Sequence, residues 1–410
     1  MAHCQQEAPL RPGFSQRLER SRPSATVAMS VRARALRAQG KDVVSFTIGE
    51  PDFATPPHAI EAAHQAALRG ETKYTPHDGT PALKAAVRRQ FLRDHGLDYA
   101  PDEVMVGNGA KQILYAAMEA TLDEGDEVVI PVPCWNAYQL IVESAGGVPV
   151  TVPCPQNNNF RLRPEDLDAA ITPRTKWVLL NYPNNPTGAV ISRAEMAELG
   201  AVLLRHPHVW ALCDDMYEHL IYTDTPYATL AEAEPRLRER VMTLSGVSKT
   251  YAMTGWRIGF AGGPKELIKA TVRMHGLASA GVSSIGQAAA AAALDGPQEL
   301  VAERAEIYRR RRDFVVDALN TCPGISCHRP EGAFYVYPNI AGCLGKTTAG
   351  GTRIDSDDDF ARAVLEEQLV ALSPGSSFGL SPYLRLSYAT DDATLAKGME
   401  RMRAFTQSLR

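Results

Sequence analysis

Short apolar runs alternate with longer amphipathic stretches along most of the chain. The runs are Val104-Met105-Val106, Val128-Val129-Ile130, Trp177-Val178-Leu179-Leu180, Val209-Trp210-Ala211-Leu212 and Val241-Met242-Thr243-Leu244. Runs without polar alternation suit strands buried on both faces, as in a parallel sheet. Between them, Thr80-Pro81 offers a capping side chain followed by Pro at the first helical position. That predicts a helix through His95, stopped by Gly96. Residues 109–122 and 192–205 carry the same helical spacing, and 23–39 reads as a further helix. Strand–helix alternation from about residue 50 to 300 predicts an α/β fold with a mostly parallel sheet.

The pattern changes near residue 298. Glu299–Asn320 reads as a long, Arg-rich polar helix acting as a surface spacer. Residues 332–337 and 383–388 read as strands, with a Gly/Thr-rich loop over 341–352 and a last helix at the end. This is the pattern of a smaller α+β domain on which the early helix packs. The predicted division is a disordered leader (1–13), a small domain (14–48 with 299–410) and a large domain (49–298). No repeat period is visible, which excludes solenoids and propellers.

Composition narrows the function classes. With 410 residues, 45% hydrophobic and 22% charged, the chain can bury the cores of two domains. Lys plus Arg is 43 against 47 Asp plus Glu, a net charge of −4. That balance argues against nucleic acid as the main partner but leaves small anions open. The seven cysteines are odd in number and form no C-x-x-C pair. They read as reduced thiols of a cytoplasmic protein, with no disulfide framework and no metal site. No run approaches the ~18 apolar residues of a membrane span. The leader MAHCQQEAPLRPG lacks the apolar segment of a signal peptide.

In open α/β sheets ligands bind beyond the carboxyl ends of the strands. Just past the apolar runs stand Asn184-Asn185-Pro186, Asp214 and Ser248-Lys249. An amide, a carboxylate and a lysine in one crevice fit pyridoxal 5'-phosphate. The lysine amine forms a Schiff base with an aldehyde, and a carboxylate keeps the pyridine nitrogen protonated so that the ring acts as an electron sink. Gly107-Asn108-Gly109-Ala110-Lys111 joins a strand to a helix start, where backbone N–H groups cradle a dianion. Arg257, eight residues after Lys249, offers a guanidinium fork for the same phosphate.

SKTYAMTGWRIG (248–259), NYPNNPTG (181–188), DDMY (214–217), GEPDF (49–53), TKYTPHDGTPAL (72–83), GAKQIL (109–114) and YLRLSYAT (383–390) carry a family likeness. With these segments, which stand in the family's order, the chain resembles the class I pyridoxal-phosphate aminotransferases from about residue 14 to 405. The finer likeness, in ETKYTP, RHPHVW and PEGAFYVYP, is to the bacterial subgroup of aspartate and prephenate aminotransferases. The resemblance implies the aspartate-aminotransferase fold (fold type I) and a homodimer with sites at the subunit interface.

Residue by residue, the resemblance implies that Lys249 is the Schiff-base lysine and the base that moves the Cα proton. Asp214 pairs with the pyridinium nitrogen, and Tyr217 and Asn185 donate to the cofactor's phenolic oxygen. Trp135 stacks on the ring. Gly109, Ala110, Lys111, Ser248 and Arg257 surround the phosphate, with Tyr74 reaching it from the other subunit. Arg385 binds the substrate α-carboxylate, and Gly49, Trp135 and Asn185 also contact the substrate. Lys111, Thr26 and Arg22 face the distal carboxylate of a dicarboxylic substrate. The expected reaction is ping-pong transfer of an amino group, from aspartate first, to a 2-oxo acid such as 2-oxoglutarate. Prephenate, aromatic or specialised donors, or a C–S lyase on the same fold, are the alternatives. Cys134, Asn136, Ala137 and Tyr182 depart from the subgroup's usual residues, and the expectation is that they reshape the pocket wall.

Overall fold

The computed structural model describes residue 13, residues 25–224 and residues 226–410. Strands are numbered along the chain: β1 Val44–Ser45, β2 Val104–Gly107, β3 Glu127–Val132, β4 Val148–Pro153, β5 Thr175–Leu180 and β6 Trp210–Asp214. They continue as β7 Val241–Gly246, β8 Gly259–Gly262, β9 Tyr335–Val336, β10 Val370–Ala371, β11 Ser373–Pro374 and β12 Leu384–Ser387.

Seven strands form the main sheet, in the order β2-β8-β7-β6-β5-β3-β4. The pairs from β4 through β7 are parallel, and β8 is antiparallel to both neighbours. Alternate residues of β5 feed two separate cores: Trp177 and Leu179 one face, Val178 and Leu180 the other. Helix Ala110–Thr121 covers the first face with Ile113 and Leu114. Helix Pro81–His95 covers the second with Leu83, Val87 and Phe91. Burial on both sides is why the strands read as unbroken apolar runs.

A second region is built from both ends of the described chain. β1 lies parallel to β10, pairing Val44 with Val370, and β11-β12-β9 form an antiparallel sheet. Helix Glu299–Asn320 departs from the expected surface spacer, because it buries Tyr308, Arg312, Val315, Val316 and Leu319. Four of these form an apolar stripe at helical spacing, which the surrounding charges hide in the sequence. The fifth, Arg312, donates to the Pro330 carbonyl at 3.0 Å, and its guanidinium carbon lies 5.1 Å from the Tyr222 ring centre. No helix among the described residues is long and apolar enough to cross a membrane.

Candidate active site

A cavity of about 540 Å³ opens beyond the carboxyl ends of β5, β6 and β7. Among the expected cofactor- and substrate-binding residues whose side chains are described, all line it except Tyr74. β6 ends at Asp214, and β7 runs into Ser248 and Lys249, so neighbouring parallel strands deliver both groups to one crevice.

Lys249 is half-buried on the cavity wall, and its Nζ donates to the Gly49 carbonyl at 2.6 Å. Its amine is pushed down to about 8, first by burial, then with Arg385 and Arg257 adding to the shift while Glu50 and Asp214 oppose it. Asp214 is buried, and burial raises its carboxyl above the usual range. The Tyr138 hydroxyl donates to Asp214 Oδ2 at 2.7 Å. The Met216 N–H donates to Asp214 Oδ1 at 3.3 Å, and a buried carboxylate with only neutral donors suits a cationic N–H partner, as a protonated ring nitrogen is. Asn181 Nδ2 donates to the Asp214 carbonyl at 2.8 Å, while Asn181 Oδ1 accepts from the Asn185 backbone at 3.0 Å. The amide carrier and the carboxylate carrier are thereby locked together.

Arg257 sits at the other end of the cavity. Its Nη1 donates to the Thr254 carbonyl at 2.9 Å, which aims the guanidinium at the turn before helix Ala110–Thr121. Gly109 closes that turn with φ +87°, where a Cβ would stand 2.5 Å from Arg257 Nη2. Only glycine leaves this helix N-terminus and the guanidinium close together, which is the donor set of a phosphate cradle. Lys111 Nζ lies 4.8 Å from the Trp135 ring centre, and burial lowers its amine. Arg385 also lines the cavity. It is buried between Tyr335 and Phe378, donates to the Thr47 carbonyl at 2.5 Å and to Asn185 Oδ1 at 3.2 Å, and leaves Nε unpartnered.

A family model described as "Aminotransferase class I and II" matches residues 41–402. The chain belongs to the class I and II aminotransferases. Among curated members, an aspartate aminotransferase of Rhizobium meliloti (strain 1021) is 54% identical over 92% of both chains. An aspartate/prephenate aminotransferase of Cereibacter sphaeroides is 52% identical, over 97% of this chain and 99% of that one. Among solved aminotransferases, the aspartate aminotransferase from Rhizobium meliloti superposes with TM-score 0.95 at 52% identity, covering 97% of this chain and 100% of that one. The Thermus thermophilus aspartate aminotransferase with maleate gives TM-score 0.89 at 39% identity, covering 96% and 100%. This aminotransferase therefore has fold type I, with its large sheet mostly parallel.

Some expectations need correction or addition. Tyr74 is 91% exposed and lies away from this cavity, beside a second one lined by residues 72–75 and 279–285. Arg22, the Thr26 side chain and the leader other than Gly13 lie outside the described residues. Cys134 and Tyr182 do not form the pocket wall. Both are buried behind it, where the Tyr182 hydroxyl accepts from the Leu162 N–H at 3.0 Å and the Cys134 N–H donates to the Phe378 carbonyl at 2.9 Å. Asn136 and Ala137 do line the cavity. Tyr138, Asn181, Tyr335 and Phe378 line it without having been singled out. Tyr138 could have been found as the polar aromatic one helical turn past Trp135; Tyr335 stands inside the GAFYVY segment.

Proposed function

We propose that this aminotransferase holds pyridoxal 5'-phosphate in the cavity and moves the amino group of aspartate to a 2-oxo acid such as 2-oxoglutarate. The observation that carries this is the pairing of a half-buried lysine of lowered pKa with a buried aspartate that has only neutral donors, at adjacent strand ends. Bound there, the cofactor supplies an aldehyde and an electron-withdrawing ring. Asp214 keeps the ring nitrogen protonated, Arg257 and the backbone at Gly109 and Ala110 hold the phosphate beside Ser248, and Trp135 offers its ring face. Tyr217 and Asn185 stabilise the phenolic oxygen. Lys249 holds the aldehyde until a donor arrives, and its freed Nζ then moves the Cα proton. Arg385, beside Gly49, fixes the α-carboxylate so that this bond faces Nζ.

The capture of cofactor by cofactor-free protein has a defined pH dependence. Only the neutral amine attacks an aldehyde, and with Lys249 near 8 its neutral fraction grows as pH rises. The capture rate, followed by absorbance, is expected to rise about tenfold from pH 7 to pH 9 and then level off. A rise continuing past pH 10 overturns the lowered pKa.

Aspartate is favoured because Lys111 places a cation on the cavity wall and both curated relatives are named for aspartate. Prephenate is the second reading, from the name of the Cereibacter relative. Both relatives are named aminotransferases, which favours transfer over β-elimination. The test is a panel of amino donors against 2-oxoglutarate, scored by oxo-acid product, with Lys111→Ala beside the natural chain. A charge-assisted contact is worth about 1.5–3 kcal/mol, so Lys111→Ala should lower kcat/KM for aspartate about 10–100-fold and spare neutral donors. Equal losses on both classes remove Lys111 as a specificity contact; release of free ammonia with no glutamate formed from 2-oxoglutarate overturns transamination.

The proposed assembly is a cytoplasmic homodimer in which Tyr74 reaches the partner's phosphate. Its near-complete exposure beside an open cavity supports that role, and the buried free cysteines support a reducing compartment. Residues 14–48 with 299–410 are proposed to move as a closing domain on 49–298, since β1 is paired with β10 and Arg385 spans to Thr47.

A further inference from the structure

We propose that Tyr335 is a positioning residue for the transfer, coupling Tyr217 to the carboxylate-binding Arg385. The inference rests on the cofactor reading above. Tyr335 lies on β9 directly opposite Ser387 of β12, which puts it diagonal to Arg385 on one face of the antiparallel pair. The Arg385 guanidinium carbon stands 4.9 Å from the Tyr335 ring centre, with Phe378 on another side at 4.8 Å. The far end of the same ring carries a hydroxyl 2.8 Å from the Tyr217 hydroxyl. A Cβ on Gly49 would stand 2.1 Å from that hydroxyl, so the backbone whose carbonyl accepts from Lys249 runs against it.

Packing against Arg385 requires only the ring. A buried hydroxyl is costly unless it is hydrogen-bonded, and among the described residues the hydrogen bond it makes is to Tyr217. Either phenol can donate in this pair. Where the Tyr217 hydroxyl donates a hydrogen bond to the cofactor's phenolic oxygen, Tyr335 is left to donate to Tyr217. Two donors in series polarise each other, which strengthens the terminal bond. The ring that carries this hydroxyl also forms one wall of the guanidinium's slot. Carboxylate binding and phenolic-oxygen stabilisation therefore bear on one side chain.

The test uses holoenzyme carrying Tyr335→Phe, Tyr217→Phe, both together, and Tyr335→Leu. The readouts are the pH midpoint of the bound cofactor's visible absorption, kcat, and KM for aspartate. A weaker donor leaves more negative charge on the phenolic oxygen, which holds the neighbouring nitrogen's proton to higher pH. Tyr217→Phe should raise the midpoint, and Tyr335→Phe should raise it by a smaller amount. The double variant should sit no higher than Tyr217→Phe alone, because the second hydroxyl acts through the first. Tyr335→Phe keeps the ring and should leave KM within about threefold, whereas Tyr335→Leu should raise it about tenfold by losing the cation–π contact. If Tyr217→Phe moves the midpoint and Tyr335→Phe does not, or if the two shifts add fully, the role of Tyr335 is overturned. An unchanged KM in Tyr335→Leu overturns the link to Arg385. If neither phenylalanine variant moves the midpoint, it is the reading of Tyr217 that fails.

Discussion

Replacing Lys249 by alanine is expected to lower turnover by about 10⁴-fold or more while leaving the fold in place. On the proposed reading one side chain holds two duties, covalent capture of the aldehyde and proton transfer at Cα, and general acid–base catalysis alone is worth about 10²–10⁴-fold. No other described lysine is placed to take over. Lys111 lines the cavity but lies over Trp135, whereas Lys249 reaches the Gly49 carbonyl beside Arg385. The fold should survive because removing a buried amine also removes the burial penalty that lowers its pKa. Single-turnover kinetics on aspartate and a thermal melt check both halves. Turnover within tenfold of the natural chain refutes the role of Lys249.

Arg385→Leu carries the next largest effect. The guanidinium is buried, its hydrogen bonds go to the neutral oxygens of Thr47 and Asn185, and burial disfavours its charge. Such a cation lacks compensation until a carboxylate arrives. Removing one partner from a buried ion pair costs about 3–5 kcal/mol. That corresponds to a loss of about 10²–10⁴-fold in kcat/KM for every amino donor, since all share the α-carboxylate. Arg385→Lys keeps the charge but not the fork and should fall between. The cofactor-free Leu variant should melt at or above the natural temperature, because an apolar side chain replaces an uncompensated cation. A loss under tenfold, or a large fall in melting temperature, would mean that Arg385 serves the fold and not the substrate.

How far the sequence alone reaches differs from element to element. The helix at 81–95 was readable to the residue, because its signals are local: Thr80 Oγ1 caps the Leu83 N–H, and Gly96 ends it with φ +66°. β4 and β8 were not singled out. Prolines at 149 and 153 and largely unburied residues blur β4, and β8 is Gly-Phe-Ala-Gly, too short and glycine-rich to register. The site divides the same way. Asp214 and Lys249 stand where a general rule about strand ends places ligands. Tyr138 and Tyr335 gain their meaning from partners 76 and 118 positions away, which no local pattern encodes. Cys134 and Tyr182 were noticeable as unusual residues, but only the packing reveals that they sit behind the wall.

The bond from Arg385 to the Thr47 carbonyl spans 338 positions of chain. At synthesis rates of ~5–20 residues per second, Thr47 is made roughly 20–70 s before its partner exists. For most of that interval β1 has no β10 to pair with, and its unpaired backbone is open to wrong neighbours. The lysine, the aspartate and the phosphate turn are all made earlier than Arg385. A growing chain of this kind acquires the parts that grip a cofactor before the part that grips a substrate. On the proposed roles, chains cut short before Arg385 lack the α-carboxylate contact and are expected to be inert toward free amino acids.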